Sequence, residues 1–185
     1  VRLGLLVLVV VLLGHQTLQQ RHWRADDPVQ IAEAQKLFPE AHRLADVEDD
    51  ATALSVYDKD DIRIGRLLRT IPAAQDVVGY RGPTEALLAF DEDDTIVGMR
   101  IRRSADTPDH LRDVAQDREF LASFEGWRLV ELAKFEGARA LEDADIWPVS
   151  GATLTSTGVI DGVLALAHKQ TNQEPPTRDI RWAFE

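Results

Sequence analysis

The sequence predicts an α+β domain: an antiparallel β-sheet of hairpins with packed helices. Two pairs of strand-length runs carry that prediction. Residues 53–57 pair with 62–70, and residues 86–90 with 95–103, each pair joined by an Asp-rich turn. The third observation is the helical spacing of Val159, Ile160, Val163, Leu164, Leu166 and Ala167 towards the C-terminal end. Hairpins and helices alternate without a βαβ rhythm, which argues against a parallel sheet.

The 185 residues suffice for one domain with a core and one appendage. A net charge of −11, with no basic patch or aromatic platform, argues against nucleic-acid binding. The absence of cysteine excludes disulfides, thiolate metal sites, iron–sulfur ligation and cysteine acylation.

The elements follow in order. An apolar run over residues 3–13 is preceded by Arg2 and broken only by Gly4. At about 1.5 Å per residue it is too short to cross a ~30 Å hydrocarbon layer alone; with residues 14–18 it suffices. No small-residue cleavage site follows, so residues 1–18 read as an uncleaved membrane anchor helix rather than a signal peptide or a buried core helix. One positive charge before the run and an acidic body after it place the domain on the extracytoplasmic (periplasmic) side. Residues 19–36 read as a linker and lead-in helix. Trp23 suits a membrane interface or ordinary packing. Asp27 and Pro28 serve as cap and first helical position, and Val29, Ile31, Ala32, Ala34, Leu37 and Phe38 supply an apolar face that Pro39 ends. Residues 46–50 form an acidic turn whose spacing is not that of a calcium loop. The two hairpins come next, linked through residues 72–83.

Residues 77–83, Val-Val-Gly-Tyr-Arg-Gly-Pro, read as a β-turn with a half-buried tyrosine. Ser104-Ala105-Asp106-Thr107-Pro108-Asp109-His110 reads as a helix start, with Thr107 as cap and Pro108 at the first position of a helix over residues 110–124. His110 reads as a solvated first-turn histidine. Residues 126–135 are a short mixed segment. Ser150-Gly151-Ala152-Thr153-Leu154-Thr155-Ser156 is a small-residue loop before a closing helix over residues 158–169. Gly151 and Ala152 admit close approach of a ligand, and four hydroxyls stand near a helix N-terminus, whose free N–H groups suit a phosphate. The alternative is a Ser/Thr helix cap with no ligand.

The string at residues 150–156 resembles the flavinylation signature of the FMN-binding domain family. That family includes the peripheral flavin subunits of the Rnf and Nqr redox complexes and the flavin domain of NosR-type proteins. Gly79-Tyr80-Arg81-Gly82-Pro83 is similar to the family's Gly-Tyr-x-Gly-Pro element, Asp106-Thr107-Pro108 to its acidic-Thr-Pro element, and Leu37-Phe38-Pro39-Glu40-Ala41 to the segment that opens its soluble domain. The resemblance covers roughly residues 37–169, read as the FMN-binding domain, with 170–185 as a polar tail. It implies FMN in phosphoester linkage to Thr153. Ser150, Gly151, Ala152, Leu154 and Thr155 would surround the phosphate. Gly79, Tyr80, Gly82, Pro83, Asp106, Thr107 and Pro108 would flank the isoalloxazine.

Two departures are visible. Asp-Thr-Pro-Asp stands where the Rnf and Nqr subunits have Glu-Thr-Pro-Gly, which places the chain nearer the NosR-like or stand-alone branch. Trp147 stands where the family carries an Asp three residues before the Ser, and the nearest acid is Asp145. That second departure bears on covalent attachment rather than on FMN binding. The resemblance implies an anchored electron carrier. Its partners would be a membrane redox protein bearing quinone, iron–sulfur or haem, and a flavin transferase using FAD and Mg²⁺. Two other readings stand beside it: an extracytoplasmic flavin reductase with His110 or Tyr80 as proton donor, and an anchored non-redox module that has lost its flavin. No nucleophile–base pair, paired carboxylates or metal cluster is expected.

Overall fold

A computed structural model describes residues 27–173. Five strands form one antiparallel meander in sequence order: β1 (Arg43–Val47), β2 (Asp50–Tyr57), β3 (Arg63–Arg69), β4 (Thr84–Phe90) and β5 (Ile96–Ser104). Helices accompany it: α1 (Ile31–Ala34), α2 (Pro108–Gln116), α3 (Arg118–Ala122), α4 (Leu129–Leu132), a 3₁₀ segment (Ala138–Ala144) and the long α5 (Thr153–Thr171). The expected α+β class and both hairpins are present.

The sheet is covered on both faces. Strand side chains alternate between faces, so Leu68, Ala86, Leu88, Phe90, Met99 and Ile101 share one core with Val159, Ile160 and Val163 of α5. Val56, Leu67, Leu87 and Ala89 face the other way and pack with Val29, Ala34 and Ala41. Strand β4 is buried along its whole length, which explains its near-continuous apolar sequence.

An ionic cluster fastens the lead-in segment to the second face. The fully buried Glu85 carboxylate receives Arg69 Nε at 2.7 Å and Arg102 Nη1 at 3.3 Å, and also pairs with Arg103. Arg102 reaches on to Glu33 (3.0 Å) and Asp27 (3.3 Å). Burial alone would raise the Glu33 carboxyl, but the Gln30 amide and Arg102 outweigh it and hold it below its ordinary range.

Four expectations are corrected. The lead-in helix begins at Ile31, not Pro28, and is one turn long. Gln30 is its N-cap, because Glu33 folds back onto the Gln30 amide at 2.9 Å. The acidic stretch 46–50 is mostly strand: β1 and β2 meet around Asp49, at φ 65°, and β1 itself is absent from the sequence reading. Its alternation is weak because it is an exposed edge strand. The single helix over 110–124 is two, since Asp117 adopts an extended backbone and its carboxylate caps Phe120 N–H at 2.9 Å. The closing helix begins at Thr153 rather than Gly158 and continues through Thr171 into the segment read as tail.

The anchor expected over residues 1–18, Trp23 and the tail beyond 173 lie outside the described residues. Among the described residues, no helix is long and apolar enough to cross a membrane.

Candidate functional site

The open end of the β4–β5 hairpin supports the site. Thr84 pairs with Ser104 at the last rung, and their hydroxyls lie 2.6 Å apart. Beyond that rung the two chains stay tied: Ala105 N–H donates to the Pro83 carbonyl at 3.0 Å, and Asp106 N–H to Ser104 Oγ at 3.0 Å. The turn that enters β4 closes through Gly79 N–H to the Gly82 carbonyl, 3.0 Å.

Asp106 organises this end. Its carboxylate, buried to 8% exposure, accepts from the backbone amides of Tyr80 (3.2 Å), Arg81 and Gly82 (3.3 Å). A carboxylate bound by several amides is a strong, charge-assisted clamp, each bond contributing about 1.5–3 kcal/mol. The sequence reading placed the Asp106-Thr107-Pro108 element beside the flavin ring; both carboxylate oxygens of Asp106 hold the 79–83 turn.

The α5 N-terminus lands on that turn. A Cβ on Gly158 would lie 2.8 Å from Gly79 Cα, and one on Gly79 would lie 2.7 Å from Asp106 Oδ2 and 3.3 Å from the Leu154 carbonyl. Only two glycines allow helix and turn to approach so closely. The three motifs, far apart in sequence, therefore meet at one place.

Within the 150–156 string the loop is only residues 150–152. Gly151 sits at φ 81°, the left-handed region, with nothing near its missing Cβ. Ala152 is the N-cap of α5 and offers no side-chain oxygen, so the Ser/Thr cap weighed as the alternative is absent. Ser156 is the brace of the loop. Its hydroxyl accepts from Val149 N–H at 2.9 Å and shares its one proton between the Ala152 and Thr153 carbonyls at 3.0 and 3.1 Å. Ser156 N–H bonds the Ala152 carbonyl. Among the described residues, no oxygen accepts from the amides of Thr153, Leu154 or Thr155. These are the donors that an uncapped helix leaves free.

The hydroxyls in this first turn differ. Thr153 is exposed, with only a long 3.4 Å contact from Oγ1 to the Val149 carbonyl. Thr155 is 1% exposed, and its Oγ1 is buried with no hydrogen-bond partner. A buried hydroxyl left unpaired costs about 1–3 kcal/mol, so its presence calls for a partner. Three free amides, a positive dipole end and an unpaired hydroxyl make a donor set for a phosphate. Tyr80 (51% exposed), Leu154 (59%) and Val78 (62%) give the same region an apolar, partly aromatic surface suited to a planar ring. The residues present fit FMN: donors for its phosphate, and apolar surface for its ring.

Other expected residues sit less centrally. Ser150 is exposed on the loop, and Pro108 is exposed at the start of α2. Pro83 contributes its carbonyl, the acceptor for Ala105 N–H. Thr107 occupies the N-cap position but makes no cap bond; its Oγ1 lies 3.0 Å from His110 Nδ1. Trp147 is 58% exposed, following the fully buried Ile146. Asp145 adopts a left-handed backbone at φ 61° that ends the 3₁₀ segment. A separate cleft of about 1150 Å³ runs between that segment and one side of α5, lined by Arg139, Asp143, Thr157, Asp161 and His168 among others. Among the described residues, no cluster able to hold a metal ion is present.

The sequence reading missed Gly158 and the bracing role of Ser156. A glycine inside a helix costs about 1 kcal/mol, but with the closing helix read as starting at Gly158 that cost gave no signal of the close contact there.

The fold is thus a small α+β domain whose 79–83 turn and first turn of α5 together offer free amides and apolar surface of the kind a phosphorylated planar ligand needs. Residues 79–168 match the FMN-binding domain family, so the chain carries an FMN-binding domain and FMN is its cofactor. The matched span opens at the glycine that α5 packs against and includes all three motifs. No curated protein matches the chain.

Proposed function

We propose that this protein is a membrane-anchored, extracytoplasmic flavoprotein that holds FMN in phosphoester linkage to Thr153 and relays electrons within a membrane redox chain. The observation that carries the reading is the first turn of α5: an exposed Thr153 hydroxyl, three free amides and the unpaired Thr155 hydroxyl together. Linkage would come from a flavin transferase using FAD and Mg²⁺. The Thr153 oxygen takes the FMN phosphate, the FAD pyrophosphate bond breaks, AMP leaves, and the hydroxyl proton goes to solvent. When bound, FMN supplies one- or two-electron redox chemistry.

The chain's own residues do the rest. The α5 amides and Thr155 bind phosphate charge. Asp106 and the Gly79–Gly158 contact fix the turn bearing Tyr80, and Ser156 holds the 149–152 loop in place. Supporting an anchor is the apolar run over residues 3–13 with its extension to 18, and supporting an outer location is the acidic body that follows. The partner is a membrane redox protein bearing quinone, iron–sulfur or haem. The Asp-Thr-Pro-Asp string supports a place in the NosR-like or stand-alone branch.

A carrier gives up electrons to a partner but does not turn over with small acceptors. Loaded protein, reduced chemically and mixed with a panel of small inorganic and organic acceptors, should show single oxidation events and no sustained turnover with a supplied reductant. Saturable steady-state turnover on one acceptor would identify a reductase instead.

A further inference from the structure

A second cluster stands beside the 79–83 turn, and phosphate binding does not use it. His110, in the first turn of α2, meets the Tyr80 ring edge to face: the centroids are 5.1 Å apart and the planes at 87°. Its Nδ1 is 3.0 Å from Thr107 Oγ1. Tyr80 comes from the turn under the α5 N-terminus, and Thr107 from the segment whose Asp106 clamps that turn. A histidine read from sequence as merely solvated is thus fixed by two residues of the motifs that frame the site. Among the described residues, nothing hydrogen-bonds its Nε2, which leaves that nitrogen to exchange a proton with solvent.

We propose that His110 is a positioning residue of the flavin site: with Thr107 it fixes the Tyr80 ring beside bound FMN, and its charge state makes the flavin's reduction potential depend on pH. The inference rests on the reading that FMN seats at the α5 N-terminus next to Tyr80. On α2 and the turn that hold this pair, the other charged and titratable groups are Asp109, Arg112 and Asp113 on α2, Asp106 before it, and Arg81 and Tyr80 on the turn; the one further histidine on a helix packed against α2, His168 on α5, is buried and bonded through Nε2 to the Ala133 carbonyl at 3.0 Å. Asp109 is paired with Arg112 at 3.1 Å, and the Asp106 oxygens are committed to the turn amides. Of these residue types, only histidine ordinarily changes charge between about pH 5 and 8. The Thr107 hydroxyl can donate to neutral Nδ1 or accept from its protonated form, so the contact survives the change. Two-electron reduction of FMN near neutral pH takes up one proton and leaves one negative charge on the ring. An imidazolium nearby stabilises that charge, so the potential rises as pH falls through the histidine titration.

The test uses the full chain, without flavin and loaded with FMN. In flavin-free protein, NMR should show the Tyr80 ring signals following the His110 titration. Tyr57 is the only other tyrosine, so the signals are assignable. Adding FMN should move the Tyr80 signals. In loaded protein, potentials measured with dithionite as reductant between about pH 5 and 8 should show, beyond the slope change from the reduced flavin's own protonation, a second bend that is lost in His110→Gln, which keeps a polar partner for Thr107 but cannot titrate. Thr107→Val should keep the second bend but move it to a different pH. If FMN shifts Tyr80 yet wild type and His110→Gln give parallel potential curves, the role of His110 is overturned while the flavin site stands. If FMN leaves Tyr80 unmoved, the site reading and this proposal fall together.

Discussion

Replacing Gly158 by alanine would put a methyl group 2.8 Å from Gly79 Cα. Backbone on both sides leaves little room to yield, so helix and turn must part. The expected cost is about 1–3 kcal/mol, read as a fall in the denaturant midpoint, together with weaker FMN retention because Tyr80 moves with the turn. A Gly158→Ala variant of undiminished stability and flavin affinity would show that this contact does not shape the site. At the scale of single residues, legibility was mixed. Thr153, Tyr80 and Asp106 were named from motif strings, and the structure brings their segments together. The work of Asp106 was not legible, because a carboxylate clamping three amides across 24 to 26 positions leaves no local pattern. The same holds for the unpaired hydroxyl of Thr155: a threonine in a hydroxyl-rich string gives no sign of its own burial.

Elements were legible where periodicity was strong. Both hairpins fell within a few residues of β2 to β5, because each pairs apolar strands across an Asp-containing turn. Boundaries failed where side-chain hydrogen bonds decide them. Asp117 splits α2 from α3, and Ser156 bonds back to its own helix so that α5 can start among hydroxyl residues. The far end of α5 is tied to the sheet in a similar way. Gln170 Nε2 donates to Asp50 Oδ2 at 2.7 Å, and Thr52 N–H to Asp50 Oδ1 at 2.9 Å. Burial alone would raise the Asp50 carboxyl; the Thr52 and Gln170 hydrogen bonds and nearby Lys169 outweigh it and hold it low. A carboxyl held low in the folded state stabilises fully above its unfolded pKa, near about 4. That contribution is lost as pH falls through the lower folded value. Glu33 at the α1 contact has the same sign. Urea midpoints followed from pH 6 down into the acid range should therefore fall below about pH 4, and Asp50→Asn should flatten part of that fall. An equally steep acid dependence in Asp50→Asn would remove Asp50 as a contributor.

For the whole molecule, the class was legible from the alternation of hairpins and helices, but the second core was not. Val29, Ala34 and Ala41 cover the face of the sheet opposite α5, and the sequence reading assigned Val29 and Ala34 to a linker and lead-in helix. Their apolar spacing is too short to announce a packed layer. Both described cores are built from residues 29–167, so removing residues 1–18 should release a folded, soluble protein that still binds FMN. Aggregation or loss of FMN on truncation would assign the apolar run to the core instead of a membrane. The central claim is that the exposed Thr153, at an uncapped helix start, is the attachment point for FMN. The most direct test is intact mass of the full chain after co-expression with a flavin transferase, for wild type, Thr153→Ala and Thr155→Val. The account predicts an FMN adduct in wild type and its loss in Thr153→Ala. In Thr155→Val the adduct should persist in a reduced fraction, because the phosphate loses one donor. An adduct undiminished in Thr153→Ala, or a wild-type chain that carries FMN only as a dissociable ligand, would contradict it.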